Sequence, residues 1–134
     1  MIQRIDHFAI AVRDFETFLQ FYCETLGFRL GRRGTHNLTG KAIAFLWDPG
    51  SPVKIELIES EHDATPRLDH LAMISDDVDG DSHALTEAGL PPNRGPLRND
   101  RAKMHTAHFV GPEAFKFQLC DYDDDAAEMT PPAL

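Results

Sequence analysis

From Ile5 to Val12 apolar side chains alternate with small or polar ones, the period of a strand with one buried face. Phe15, Phe18, Leu19, Tyr22, Cys23 and Leu26 then recur at helical spacing. Asp14 stands in front of that run as a candidate N-cap, and Gly27 follows it as a stop. Three further strands are predicted near 28–35, 41–47 and 53–59, separated by turns at 37–40 and at Asp48-Pro49-Gly50. The same order then returns. A strand is predicted at 68–74, and a helix at 78–88 that Gly80 weakens and Gly89 ends. Strands follow near 92–97, 103–110 and 114–120, the last two joined by Gly111-Pro112-Glu113.

The return is a repeat in sequence as well as in pattern. Arg4-Ile5-Asp6-His7-Phe8-Ala9-Ile10 matches Arg67-Leu68-Asp69-His70-Leu71-Ala72-Met73 at an offset of 63, and Val53-Lys54-Ile55-Glu56-Leu57 matches Phe115-Lys116-Phe117-Gln118-Leu119 at 62. Two matches at nearly one offset mean two copies of one strand–helix–three-strand module. The first runs over about 2–60 and the second over about 67–122, with a linker at 59–66. The tail 123–134 is acidic, contains Pro131 and Pro132, and is expected to fray.

Alternation also assigns faces. Phe8, Ile10 and Val12 are expected to pack on the first helix, as are Val53, Ile55 and Leu57; Leu71, Met73, Phe115, Phe117 and Leu119 are expected to pack on the second. The opposite faces then carry His7, Glu56, His70 and Gln118, with Ala9, Ala11 and Ala72 leaving room beside the histidines. Two imidazoles, a carboxylate and an amide oxygen suit a divalent transition metal. The competing reading is that a histidine opening a strand serves structure alone.

Composition narrows the partners. A chain of 134 residues with 42% hydrophobic side chains makes one domain with a core. Its 22 acidic against 13 basic residues, a net charge of −9, argue against nucleic acid or an anionic membrane as partner. Arg32, Arg33, Arg94, Arg98 and Arg101 are expected in solvated loops. No apolar run approaches the roughly 20 residues of a membrane span. Cys23 and Cys120 are read as reduced, and the expected compartment is the cytoplasm.

The opening Asp6-His7-Phe8-Ala9-Ile10-Ala11-Val12 resembles the first strand of the glyoxalase/bleomycin-resistance/dioxygenase, or vicinal-oxygen-chelate, superfamily. So do Phe21-Tyr22-Cys23-Glu24-Thr25-Leu26-Gly27-Phe28, Lys54-Ile55-Glu56-Leu57-Ile58-Glu59 and Asp69-His70-Leu71-Ala72, so that the resemblance covers 2–122. It implies an α+β fold of two tandem βαβββ modules, related by pseudo-two-fold symmetry and forming a cup-shaped mixed sheet. It implies one divalent metal ion per site, on His7, Glu56, His70 and Gln118, and a homodimer. Glu is common at the fourth position in glyoxalase I and in methylmalonyl-CoA epimerase, so Gln118 departs from the pattern. With one carboxylate left, Glu56 is the single candidate base for moving a proton beside a carbonyl. Ala11 and Ser60 stand where bacterial glyoxalase I has an Arg and an Asn for glutathione, which counts against that substrate.

The expected function is therefore a metal-dependent lyase or isomerase of the glyoxalase type, acting on a small oxygenated substrate. The alternatives are an Fe(II) extradiol-type dioxygenase and a non-catalytic bleomycin-resistance-type binding protein. Weaker substrate-side candidates are Lys54 and Lys116, read mainly as rim lysines, and His105 and His108, whose spacing puts one of them on the ligand face. His36, His62 and His83 are expected at the surface, and Trp47 in the core or the site wall.

Overall fold

The computed structural model describes residues 1–62 and 65–133. The expected linker includes residues 63 and 64, and the tail includes residue 134; these lie outside the described residues. Among the described residues the fold is α+β. The first module is β1 (Ile2–Val12), α1 (Phe15–Gln20), β2 (Arg29–Thr35), β3 (Ala42–Trp47) and β4 (Lys54–Glu59). The second is β5 (Arg67–Ser75), α2 (Val78–Glu87), β6 (Arg94–Asn99), β7 (Met104–Val110) and β8 (Lys116–Tyr122). No helix among them is long and apolar enough to cross a membrane.

The strand order is β2-β3-β4-β1 in one module and β5-β8-β7-β6 in the other. In each, the strand before the helix pairs in parallel with the fourth strand, and the remaining pairs are antiparallel. By contacts the chain divides into two compact units, 1–6 with 70–129, and 7–69 with 130–134. The first six residues thus belong with the body of the second module. There the N-terminal ammonium pairs with Asp76 and Asp81, and the Tyr122 hydroxyl donates to Asp6 Oδ2 at 3.0 Å.

The predicted faces supply most of the cores, but Phe8, expected on the first helix, is exposed. In the first module Val12, Ala44, Leu46 and Leu57 pack on Phe15 and Leu19 of α1. Asp14 caps that helix, its carboxylate accepting from the Thr17 amide at 3.2 Å. The run to Leu26 is not all α-helix: Phe21–Thr25 forms a wider π-helical turn, which the spacing of apolar residues does not reveal. In the second module Val78 of α2 packs on Ala107, Phe109 and Leu119. Phe115, expected on that face, precedes β8 and is exposed. Gly80 in α2 has a physical reason. The Asp77 cap lies over it, so that a Cβ there would stand 2.2 Å from Asp77 Oδ2.

The tail is not frayed through its first turn. Ala126 packs against Ala72, Ala102, Met104, Cys120 and Tyr122, on the face of the second module turned from α2. Glu128 is buried too. Arg98 holds Asp123 through two hydrogen bonds of 2.8 and 2.6 Å, and Lys103 holds Asp125 at 2.6 Å. Alternation along a strand predicts which face is apolar, but not which segment will cover it.

Candidate metal centre

In the first module the pairing of β1 with β4 sets His7 opposite Lys54 and Ala9 opposite Glu56. His7 and Glu56 therefore share the face turned from α1, as the sequence predicts. His7 Nε2 and Glu56 Oε1 stand 3.7 Å apart, and both side chains are buried. That is beyond a hydrogen bond. It is close to the spacing of about 3.3–3.6 Å between two donors that each sit about 2.0–2.2 Å from one tetrahedral ion. Ala9 is fully buried and ends at Cβ, so nothing on β1 fills the space in front of the carboxylate. The edge of Phe45 fixes the imidazole, with ring centroids 5.3 Å apart and planes at 89°.

The same face holds two cations. Arg32 lies over the Phe45 ring at 5.1 Å. Lys54, expected at a solvated rim, is 0% exposed; its ammonium sits 4.5 Å over the Trp47 ring and donates to the Pro52 carbonyl at 3.3 Å. The correction follows from register, because β3 sets Trp47 directly beside Lys54. Cation–π contact and a carbonyl stabilise a charge that burial alone would penalise. Gly31 admits this packing: a Cβ there would come within 2.7 Å of Trp47 Nε1. Farther along the face, a cavity of about 300 Å³ is lined by Ala11, His36, Lys41, Ser60, His62 and Arg67.

In the second module the equivalent register recurs, with Ala72 opposite Gln118 across β5 and β8. His70 is half-buried on β5, two residues before Ala72 and so on Gln118's face. Gln118 Nε2 donates to Thr106 Oγ1 at 2.8 Å, and Thr106 Oγ1 donates to the Leu119 carbonyl at 2.7 Å. Register also separates the two strand histidines. His108 lies directly opposite Gln118, as Phe45 lies opposite Glu56 in the first module. His105 faces the other way and contacts Asp79 of α2 at 2.9 Å. Lys116 is exposed at the start of β8.

Thr106 and Tyr122 were not singled out by the sequence. Tyr122 lies two after Cys120, so parity puts it on the ligand face, whereas Thr106, two before His108, is placed there only by the register of β7 on β8. Burial pushes the Tyr122 hydroxyl well above its ordinary pKa, and the charges of Cys120, Asp6 and Glu128 add to the effect. It stays a neutral donor to Asp6 throughout the working pH range.

A family model described as the Glyoxalase/Bleomycin resistance protein/Dioxygenase superfamily matches residues 4–119. Among curated proteins, the chain is 40% identical over 82 residues to the uncharacterized protein YwbC of Bacillus subtilis (strain 168). That match covers 58% of this chain and 65% of YwbC, so it spans just under two thirds of the relative. Among solved structures, methylmalonyl-CoA epimerase from Mycobacterium tuberculosis superposes with a TM-score of 0.79 at 22% identity, over 91% of this chain and 89% of that one. A variant of the Streptomyces coelicolor methylmalonyl-CoA epimerase in complex with 2-nitronate-propionyl-CoA gives 0.75 at 21%, over 91% and 99%. At such identities the likeness is one of fold.

Proposed function

Because the chain belongs to the Glyoxalase/Bleomycin resistance protein/Dioxygenase superfamily, we propose that it is a divalent-metal-dependent enzyme of lyase or isomerase type that moves a proton beside a substrate carbonyl. His7, Glu56, His70 and Gln118 are the proposed ligands. The observation that carries the reading is the His7–Glu56 pair, buried and 3.7 Å apart, with the small Ala9 opposite Glu56 on β1. The donor set fits: two imidazoles and one carboxylate suit a borderline transition ion, and an amide oxygen adds a neutral fourth donor.

An ion held there supplies Lewis acidity toward a carbonyl oxygen and so acidifies the adjacent C–H. The chain's own residues do the rest. Glu56 takes the proton from that carbon onto a carboxylate oxygen and returns it to the same or a neighbouring carbon. Phe45 packs against the His7 imidazole, and Ala9 stands opposite Glu56 on β1. The cavity at Ala11 and Ser60 takes the remainder of the substrate. Its lining carries Lys41 and Arg67 but also Glu59, Glu61 and Asp69, with Lys41 paired to Glu61 and Arg67 to Asp69, which suits a polar, hydrogen-bonding substituent. The epimerases of like fold make acyl thioesters of 2-substituted malonates the first compounds to try.

The test is metal uptake and proton exchange together. Chelated protein is reloaded with Zn(II), Co(II), Mn(II) or Fe(II), and carbon-bound hydrogen exchange in D2O is followed by NMR over a panel of such thioesters and α-hydroxycarbonyl compounds. Metal-dependent exchange at the carbon next to the carbonyl is expected. Stoichiometric metal with no exchange on any of them overturns the lyase or isomerase reading. Failure to take up metal overturns the ligand set and leaves a binding protein.

A further inference from the structure

Thr106 is 1% exposed and Gln118 4% exposed, so water is not available to repair a wrong pairing between them. The Thr106 hydroxyl carries one proton. Leu119 O, 2.7 Å away, is a carbonyl and can only accept, so that proton is committed to it. Toward Gln118 the hydroxyl oxygen can therefore only accept, and the atom 2.8 Å from it must be the amide nitrogen. The orientation of the amide thus follows from chemistry, with the nitrogen turned in and the carbonyl oxygen left for another partner. A carboxylate at 118 has no proton to offer. Thr106 would then have to abandon Leu119 or face an unpaired oxygen.

We propose that Thr106 is a positioning residue that selects an amide over a carboxylate at position 118 and presents its carbonyl oxygen. The proposal rests on the reading of Gln118 as a metal ligand. It explains why this chain tolerates a neutral donor where the family pattern has an anionic one: a buried neighbour with a single, already committed proton specifies it. The strands alone do not impose this choice, because Ala72 opposite Gln118 and Ala9 opposite Glu56 make the two positions equivalent in backbone register.

The test uses the full chain, stripped of metal, as wild type, Thr106→Val, Thr106→Ser, Gln118→Ala, Gln118→Glu and the double variants. Co(II) affinity and its visible spectrum are measured on each, with circular dichroism to verify folding. Thr106→Val is expected to weaken Co(II) binding about tenfold, the scale of one lost buried hydrogen bond, and Thr106→Ser to restore it. In the Gln118→Ala background Thr106→Val changes nothing further. Gln118→Glu strengthens Co(II) binding more in the Thr106→Val background than beside Thr106. Unchanged affinity and spectrum in Thr106→Val, or an equal loss with and without Gln118, overturns the proposal.

A metal-free arm separates this idea from the metal reading. In ¹⁵N spectra the Gln118 side-chain NH2 should exchange slowly with solvent in wild type and Thr106→Ser, and rapidly in Thr106→Val. Fast exchange in wild type refutes the orientation whether or not metal binds. A wild-type chain that takes up no Co(II) refutes the ligand role, while the amide spectrum still decides the orientation.

Discussion

Ala9 stands directly opposite Glu56 in the parallel pairing of β1 with β4; Ala9 is fully buried and Glu56 nearly so. The methyl group leaves room on the β1 side of Glu56 that a longer side chain would take. Ala9→Leu would fill that space. The expected result is loss of bound metal, with a stability cost of about 1–3 kcal/mol from overpacking. Metal content after reloading and a urea melt check the two effects separately. Full metal uptake by Ala9→Leu would place the ion elsewhere.

Glu56 is assigned two roles, and substitution can part them. Glu56→Gln keeps an oxygen donor and loses the base, so it should retain part of the metal and lose at least about 100-fold in exchange rate. Glu56→Ala should lose both. Gln118→Ala should still bind metal, because an amide oxygen is a weaker donor than a carboxylate or an imidazole. Metal analysis and the D2O exchange assay on the three variants decide. An active Glu56→Gln would move the base to another group on the same faces.

Such a group, if needed, is His108 and not His105. Both lie on β7, but His108 is opposite Gln118 and His105 is tied to Asp79 on the helix side. His105→Ala is expected to leave exchange within about twofold of wild type, and in an active Glu56→Gln background adding His108→Ala should slow it on the 10²-fold scale of a lost acid–base group. Equal behaviour of the two variants would remove His108 as the alternative base.

The sequence holds these two histidines in a form that parity can separate but not assign. Their odd spacing requires opposite faces; only the register of β7 on β8 says which is which. The same division runs through the rest of the molecule. Alternation at Ile5–Val12 and the matched Glu56 and Gln118 positions made the strands, the repeat and the four ligand candidates legible, because period and offset are local or periodic properties. Lys54 was misplaced, since its burial depends on Trp47 arriving from another strand. The π-helical turn at Phe21–Thr25 and the docking of Ala126 were missed for a like reason, as both are settled by packing.

Tyr122 and Asp6 join the last strand to the first by a buried hydrogen bond. Tyr122→Phe keeps the ring and removes the donor, leaving one bond fewer on a fully buried carboxylate. A loss of about 1–3 kcal/mol is expected, read from denaturant midpoints at unchanged slope. A neutral result would mean that the remaining partners of Asp6 satisfy it.

Acid should loosen the tail before it loosens the cores. Arg98 holds the Asp123 carboxyl below its ordinary pKa of 3.8, and Lys103 does the same for Asp125. A carboxyl depressed in the folded state contributes stability above its unfolded pKa and loses it as pH falls through the folded one. The tail pairs should therefore be intact at neutral pH and fail below about pH 4. These pairs are exposed, so salt should weaken them as well. Amide exchange at 123–129 against pH and ionic strength is the measurement; protection independent of both would show that Ala126 packing alone holds the segment.

That segment also bears on the history of a duplicated chain. Two copies of a module begin interchangeable, and either open face could evolve toward a ligand. Here a few residues after Tyr122 turn back and fill part of one copy's open face with Ala126, shielding the Cys120 sulfur from oxidants. A short extension beyond the repeat thus covers with the chain's own residues part of the face that its counterpart in the first module leaves to other groups.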